Sequence, residues 1–282
     1  MLRPLLFLAL SLVTSCAGPF GKVTYEESPK VINVSSYDPK ERSRSGSSYS
    51  PLNQAALRAN GAQGMIARIG KGMVIDTKCA DFLVGAEKQS MKLGVYYFVR
   101  ANSNITAQAD QLVSRLRSIK KSRGLKTEKV LLVGDIDTLC TAGQIITFLD
   151  RVEALTGVTP VVYLENSKGL VARLSSAPKS QRKQINRAPY WLALYSDTNK
   201  EQPHIQTPED LTKAYKIWDT WAMWQYGGVF WENRKSTPKH YRRGKWTTPA
   251  YFGNLDRVTE RNGFNGSQKD FEKFWDKHSW KW

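Results

Sequence analysis

The sequence of 282 residues predicts an α/β fold, a TIM-like (β/α) barrel with eight strands and about five helices, on three observations. Strand-like and helix-like segments alternate for five units, and the strands then crowd together with few helices between them. That is how parallel strands joined by crossovers read in sequence. Val130-Leu-Leu-Val-Gly-Asp-Ile-Asp137 is apolar on both faces before its carboxylates, which suits a strand covered by helices. The length, with 41% hydrophobic residues, matches a barrel of about 250 residues folding as one domain.

Met1–Val13 carries one cation and then an apolar run too short to span a bilayer, so it reads as an export signal. Val13-Thr-Ser-Cys16 resembles the lipobox of bacterial lipoproteins. That resemblance implies removal of residues 1–15 and a lipid on Cys16; an ordinary signal with an incidental Cys is the plainer alternative. The expected protein is exported and held to a membrane by lipid, facing the periplasm or cell wall. Residues 16–30 are expected to be a tether and 31–282 the barrel domain.

Val31–Val34 reads as a first strand, and the Ser- and Arg-rich stretch 40–51 as a loop. Asn53–Asn60 is a short helix stopped by Gly61, and Gly64–Ile69 a second strand. Ala80–Lys92 is helical, with Gly94 opening the third strand at Val95–Val99. Ile105–Ser122 places Ala109, Leu112, Val113, Leu116 and Ile119 at helical spacing. The fourth strand is Val130–Asp137, followed by an amphipathic helix at Ala142–Leu155 that ends at Gly157. Val161–Leu164, Tyr190–Tyr195 and Ala222–Tyr226 are strands five to seven, with one short helix, Pro208–Lys216, between the last two. An eighth strand is expected within Pro249–Val258 and a closing helix at Gln268–Lys277.

Alternation along the fourth strand puts Leu131, Val133, Asp135 and Asp137 on one face, the two carboxylates roughly 6.5–7 Å apart at their Cα atoms. Barrels of parallel strands carry their chemistry at that carboxyl end. Paired carboxylates are what glycosidic cleavage needs, one as acid and the other as nucleophile, base or electrostatic stabiliser. A capping Asp plus a solvated Asp after an ordinary core strand is the bland alternative. Glu165, on the same face as Val161 and Tyr163, could bring a further carboxylate, or simply be an exposed side chain.

Export into an oxidising compartment leaves Cys79 and Cys140 as a possible disulfide, with two buried thiols as the alternative. The net charge is +17, from 42 Lys and Arg against 25 Asp and Glu. An exported chain meets no nucleic acid in the ordinary course, so its anionic partners are peptidoglycan, wall polymers or lipid headgroups. His204, His240 and His278 are scattered without ligand-like spacing, and no Ser-His-Asp set or phosphate-cradling Gly loop stands out, so no cofactor or metal is implied.

Several segments resemble glycoside hydrolase family 25, the lysozyme-type N-acetylmuramidases, in order along residues 31 to 275. Val31-Ile-Asn-Val-Ser35 resembles the opening strand, Gly94-Val-Tyr-Tyr-Phe98 the third, and Trp191-Leu-Ala-Leu-Tyr195 the sixth. Gly134-Asp-Ile-Asp137 falls on an Asp-x-Glu motif, Trp224-Gln-Tyr226 on Trp-Gln-Tyr, and Glu260-Arg-Asn-Gly-Phe-Asn-Gly266 on Asp-Arg-Asn-x-Phe-Asn-Gly. The resemblance implies four acidic residues around the sugar. Here their positions hold Asn33, Asp135, Asp137 and Glu260, with Asp256 near enough to be the last match after a small insertion.

The resemblance further implies cleavage of the β-1,4 bond between N-acetylmuramic acid and N-acetylglucosamine. Asp137 would protonate the leaving oxygen, while Asp135 would stabilise the oxocarbenium-like centre or orient the substrate N-acetyl group. Tyr96, Tyr163, Tyr195, Trp224 and Gln225 would line the sugar site, and Arg68 would bind a muramyl carboxylate or pair with Asp135. Asn33 keeps the shape of Asp without its charge, and Asp137 reaches one methylene less than Glu. Two alternatives therefore stay open: a barrel that binds wall glycan without cutting it, and a glycosidase of altered amino-sugar specificity. The expected partners are peptidoglycan strands and, through the lipid, a membrane; the expected state is a monomer.

Overall fold

The computed structural model describes residues 22–38, 52–194, 204–228 and 260–282, the single residues 202 and 252, and the backbone of 19–20, 240–243 and 246–249. Cys16, Tyr195 and Asp256 lie outside these residues, as do the side chains of the 234–245 insertion.

Eight strands close into a barrel: β1 (Lys30–Val34), β2 (Ala62–Lys71), β3 (Lys92–Val99), β4 (Lys129–Ile136), β5 (Val161–Glu165), β6 (Tyr190–Ala193), β7 (Met223–Gly227) and β8 (Glu260–Phe264). Neighbours pair in that order, and β8 closes the ring against β1. Seven strands run parallel. The eighth departs from the expected pattern twice, lying at Glu260–Phe264 rather than within Pro249–Val258 and running antiparallel to both β7 and β1. Its inward positions are Glu260, Asn262 and Phe264, so no apolar run marks it in the sequence.

The helices are α1 (Gln54–Ala59), α2 (Cys79–Lys88), α3 (Ile105–Arg123), α4 (Ala142–Thr156), α5 (Lys168–Ser175), α6 (Lys179–Asn186), α7 (Pro208–Tyr215) and α8 (Gln268–His278). That is eight among the described residues against about five expected. The difference comes largely from α5 and α6, short helices rich in Lys, Arg and Ser; α6 buries only Ile185. None of the described helices is long and apolar enough to cross a membrane. Local chemistry sets the ends: Asn104 caps α3 through Ala107 N–H and Gly124 ends it at φ 62°. Thr141 and Gln144 form a reciprocal capping box at the start of α4.

Two apolar clusters follow from strand alternation. Val31, Ile66, Tyr96, Leu131, Val133, Val161, Trp191, Met223 and Phe264 fill the barrel, plugged from below by Phe271 and Trp275 of α8. Gly64 is what admits the plug, since a Cβ there would stand 3.0 Å from the Trp275 ring. The outward residues of the same strands pack under the helices as the larger cluster. Each fully buried Leu or Val contributes about 1.5–3 kcal/mol by leaving water, so the parity of each strand is strongly fixed. That parity decides which polar side chains end up at the mouth.

Candidate active site

At the carboxyl end of the parallel strands the inward positions turn from apolar to polar. Val31 gives way to Asn33 on β1, Ile66 to Arg68 on β2, Val133 to Asp135 on β4, Val161 to Tyr163 on β5, and Met223 to Gln225 on β7. The antiparallel β8 brings Glu260 to the same level, paired with Asn33.

These side chains make a continuous floor. Asn33 Nδ2 donates to Glu260 at 2.6 Å, and Gln225 Nε2 donates to Asn33 Oδ1 and to Glu260, both at 3.0 Å. Asn262 Nδ2 donates to Asn33 Oδ1 at 2.8 Å, and Trp191 Nε1 donates to Asn262 Oδ1 at 2.9 Å. The Tyr163 hydroxyl donates to Gln225 Oε1 at 2.6 Å. Asn33 thus supplies one donor and one doubly used acceptor where a carboxylate would bring only acceptors. Its amide is what lets Glu260 sit beside it without charge repulsion.

The four carboxyl groups around this floor are held differently. Glu260 accepts from Asn33 and Gln225. Asp137, buried, is paired with Arg100 (Nε to Oδ2 3.2 Å) and accepts the Leu139 N–H at 3.1 Å. Asp135, half-buried, accepts no hydrogen bond among the described residues. Burial pushes its carboxyl well above the usual range, and the charges of Glu165 and Glu260 push it further. Glu165 at the end of β5 is likewise raised, by burial and then by Asp137. Tyr96 sits fully enclosed beside them, its hydroxyl pushed far up by burial and by Glu260.

Arg68 pairs with Asp76 at 2.9 Å rather than with Asp135, and its other arm donates to Ser36 at 2.9 Å. It also lies 5.0 Å beneath the ring of the exposed Tyr37. Trp224 does not line the mouth. It is fully buried on the outer face of β7, donating to the Leu194 carbonyl at 2.9 Å, because Gln225 takes the inward position of the Trp-Gln-Tyr triplet. The disulfide considered for Cys79 and Cys140 is not formed. Both thiols are free and buried; Cys79 begins α2, and Cys140 stands before α4 with its sulfur 3.6 Å from the Val99 carbonyl.

Three mouth residues escaped the sequence reading: Tyr37, Arg100 and Asp76. Each sits a few residues past a strand, which is the available signal; Tyr37 and Arg100 meet partners brought by other strands, and Asp76 turns back onto Arg68 of the strand it follows. A pocket of about 270 Å³ lined by Lys22, Glu209, Asp219 and Trp221 lies at the opposite end of the barrel and touches none of the mouth residues.

Comparison with known proteins bears on this geometry. The family described as glycosyl hydrolases family 25 matches residues 32–230. No curated protein matches the chain. Among solved structures, the chain is similar to a muramidase from Trichobolus zukalii (18% identity, 87% of this chain and 98% of that one, TM-score 0.56). It is also similar to a bacterial lysozyme from Streptomyces coelicolor (17%, 88% and 97%, TM-score 0.57) and to a family 25 glycosyl hydrolase from Bacillus anthracis (14%, 90% and 96%, TM-score 0.56). At these identities the structural likeness speaks for the barrel itself.

Proposed function

The chain belongs to glycosyl hydrolases family 25, and from that premise we propose that it is a peptidoglycan hydrolase of lysozyme type, cleaving the β-1,4 bond between N-acetylmuramic acid and N-acetylglucosamine. The observation that carries this reading is the convergence of Asp135, Asp137 and Glu260 around Asn33 and Gln225 at one barrel mouth. Cleavage needs a protonated carboxyl for the leaving oxygen and negative charge beside the sugar carbon that becomes positive. Desolvation and neighbouring charge at this mouth meet both needs, because Asp135 and Glu165 are raised and retain protons that isolated carboxyls have lost at the same pH. Asp135 is the group open to a sugar above the floor, Tyr163 and Tyr96 border it, and Arg68 supports the rim. The signal-like Met1–Val13 and the Val13–Cys16 lipobox support an exported protein anchored through lipid on Cys16.

The test is digestion of purified sacculi, followed by borohydride reduction and mass spectrometry of the released fragments. Fragments ending in muramitol support the reading; fragments ending in glucosaminitol would place the cut at the other linkage and overturn the stated bond. One observation favours a second reading, binding without cleavage: the family-like acidic position on β1 is Asn33, already engaged by Glu260, Gln225 and Asn262. Sacculus pull-down with no released fragment would select it.

A further inference from the structure

Asp137, one residue past β4, and Glu165, the last residue of β5, stand side by side at the ends of neighbouring strands. Asp135 of β4 is in register with Tyr163 of β5, and the next inward positions two residues on are Asp137 and Glu165. Each stays in line with its other neighbour, Asp137 N–H donating to the Val99 carbonyl at the end of β3 at 3.1 Å and Glu165 pairing with Ala193 of β6. Adjacent strands are about 4.8 Å apart, so the two residues meet at one level on the rim, one layer above Asp135.

The two carboxyls have opposite freedom. Asp137 is occupied: Arg100 and the Leu139 N–H take its oxygens. Arg173 of α5 steadies the same turn by donating to the Thr138 carbonyl at 2.5 Å. The Glu165 side chain accepts no hydrogen bond among the described residues and is exposed to the mouth. Its backbone is nonetheless fixed, the carbonyl accepting from the Tyr215 hydroxyl of α7 at 2.6 Å and from the Ser167 N–H at 2.9 Å. A rigid base, a side chain one methylene longer than Asp and an unoccupied carboxyl suit a group that must reach a substrate atom.

We propose that Glu165 is the proton donor of this site, with Asp137 serving as the fixed charge beside it. The proposal rests on the hydrolase reading above. Glu165 gives its proton to the glycosidic oxygen as the bond from that oxygen to the sugar carbon breaks. The leaving sugar departs as an alcohol, and the positive charge left on the ring carbon faces Asp135. Water then attacks that carbon and returns a proton to the Glu165 carboxylate, so one water is consumed and the enzyme is restored. Burial and the neighbouring charge of Asp137 raise the Glu165 carboxyl in keeping with this role. Among the described residues the charged and titratable groups around it are Asp135 of β4, Asp137 just past it, Arg100 behind Asp137, Arg173 of α5 and Tyr215 of α7.

Glu165→Gln decides the matter when wild type and variant are compared on sacculi and on a 2,4-dinitrophenyl glycoside of the N-acetylglucosamine–N-acetylmuramic acid disaccharide. Its leaving group departs without protonation. The expected result is a loss of about 100-fold or more in kcat/KM on sacculi and less than about tenfold on the aryl glycoside. Glu165→Asp should recover part of the loss, and circular dichroism melting should match wild type. Equal losses on both substrates, or unchanged kcat/KM and pH profile on sacculi, would overturn the proposal while leaving the hydrolase reading intact. A wild-type protein that cleaves neither substrate would overturn both.

Discussion

Asn33 and Glu260 face each other across the antiparallel pairing of β1 and β8, the amide donating to the carboxylate at 2.6 Å. Placing a carboxylate at Asn33 would set two negative groups in contact on a desolvated floor. Asn33→Asp should therefore lower stability at pH 7 by about 1–3 kcal/mol. The sign follows from proton binding: the introduced carboxyl, set against a neighbouring carboxylate, has a folded pKa above its unfolded one, so stability is retained below about pH 4 and lost as the pH rises. Thermal melts at pH 4 and pH 7 check this; a variant equally stable at both would contradict it.

Asp135 carries the same logic in the native protein. Its carboxyl is raised by burial first and by Glu165 and Glu260 next, so its ionisation works against the folded state as the pH rises from about 4 towards and through the raised folded value. Asp135→Asn should raise Tm at pH 7, flatten the dependence of Tm on pH, and reduce kcat by about 100-fold or more. A lower Tm at pH 7 would show that the carboxylate is stabilised by contacts other than those described.

Asp137 raises Glu165, so removing its charge should lower the Glu165 pKa. In Asp137→Asn the alkaline limb of the rate–pH profile should move to lower pH, with the acid limb less affected. A limb that stays in place, measured on sacculi between pH 4 and pH 9, would separate the two residues energetically.

Trp224→Ala should behave as a core deletion, costing about 3–5 kcal/mol of stability. Because the ring points under the helices, KM per folded molecule should stay within a few-fold of wild type. A large KM increase with little change in melting would return Trp224 to the sugar site.

Burial raises both core thiols, Cys140 to about 12 and Cys79 further. Iodoacetamide at pH 8 should leave Cys79 and Cys140 unmodified in the native protein and label both after denaturation. Peptide mapping reads this directly; fast native labelling of either would contradict its placement.

The barrel was legible because its parallel strands obey a simple rule, apolar below and polar at the carboxyl end. Val133-Gly-Asp135 and Val161-Val-Tyr163 show that change within three residues. The same rule hid β8, whose reversed direction brings Glu260 at its start to the mouth and puts polar side chains on the inward face. Trp224 misled because aromatic bulk suggests a sugar platform, whereas parity, with Gln225 facing in, is what decides. Arg100–Asp137 joins the ends of two strands and Arg68–Asp76 joins a strand to the chain that turns back beside it, and nothing in local spacing announces such partners.

The floor beneath the mouth has a consequence for polymer length. Asn33, Gln225, Asn262, Tyr163 and Trp191 bond to one another from β5 round to β1, and apolar side chains fill the space below them. Among the described residues a glycan finds no passage through the barrel interior, so a chain end cannot thread past the carboxylates and nothing there confines cutting to chain ends. Digestion should then shorten long strands abruptly into a broad spread of oligomers, instead of peeling disaccharides one by one from an end.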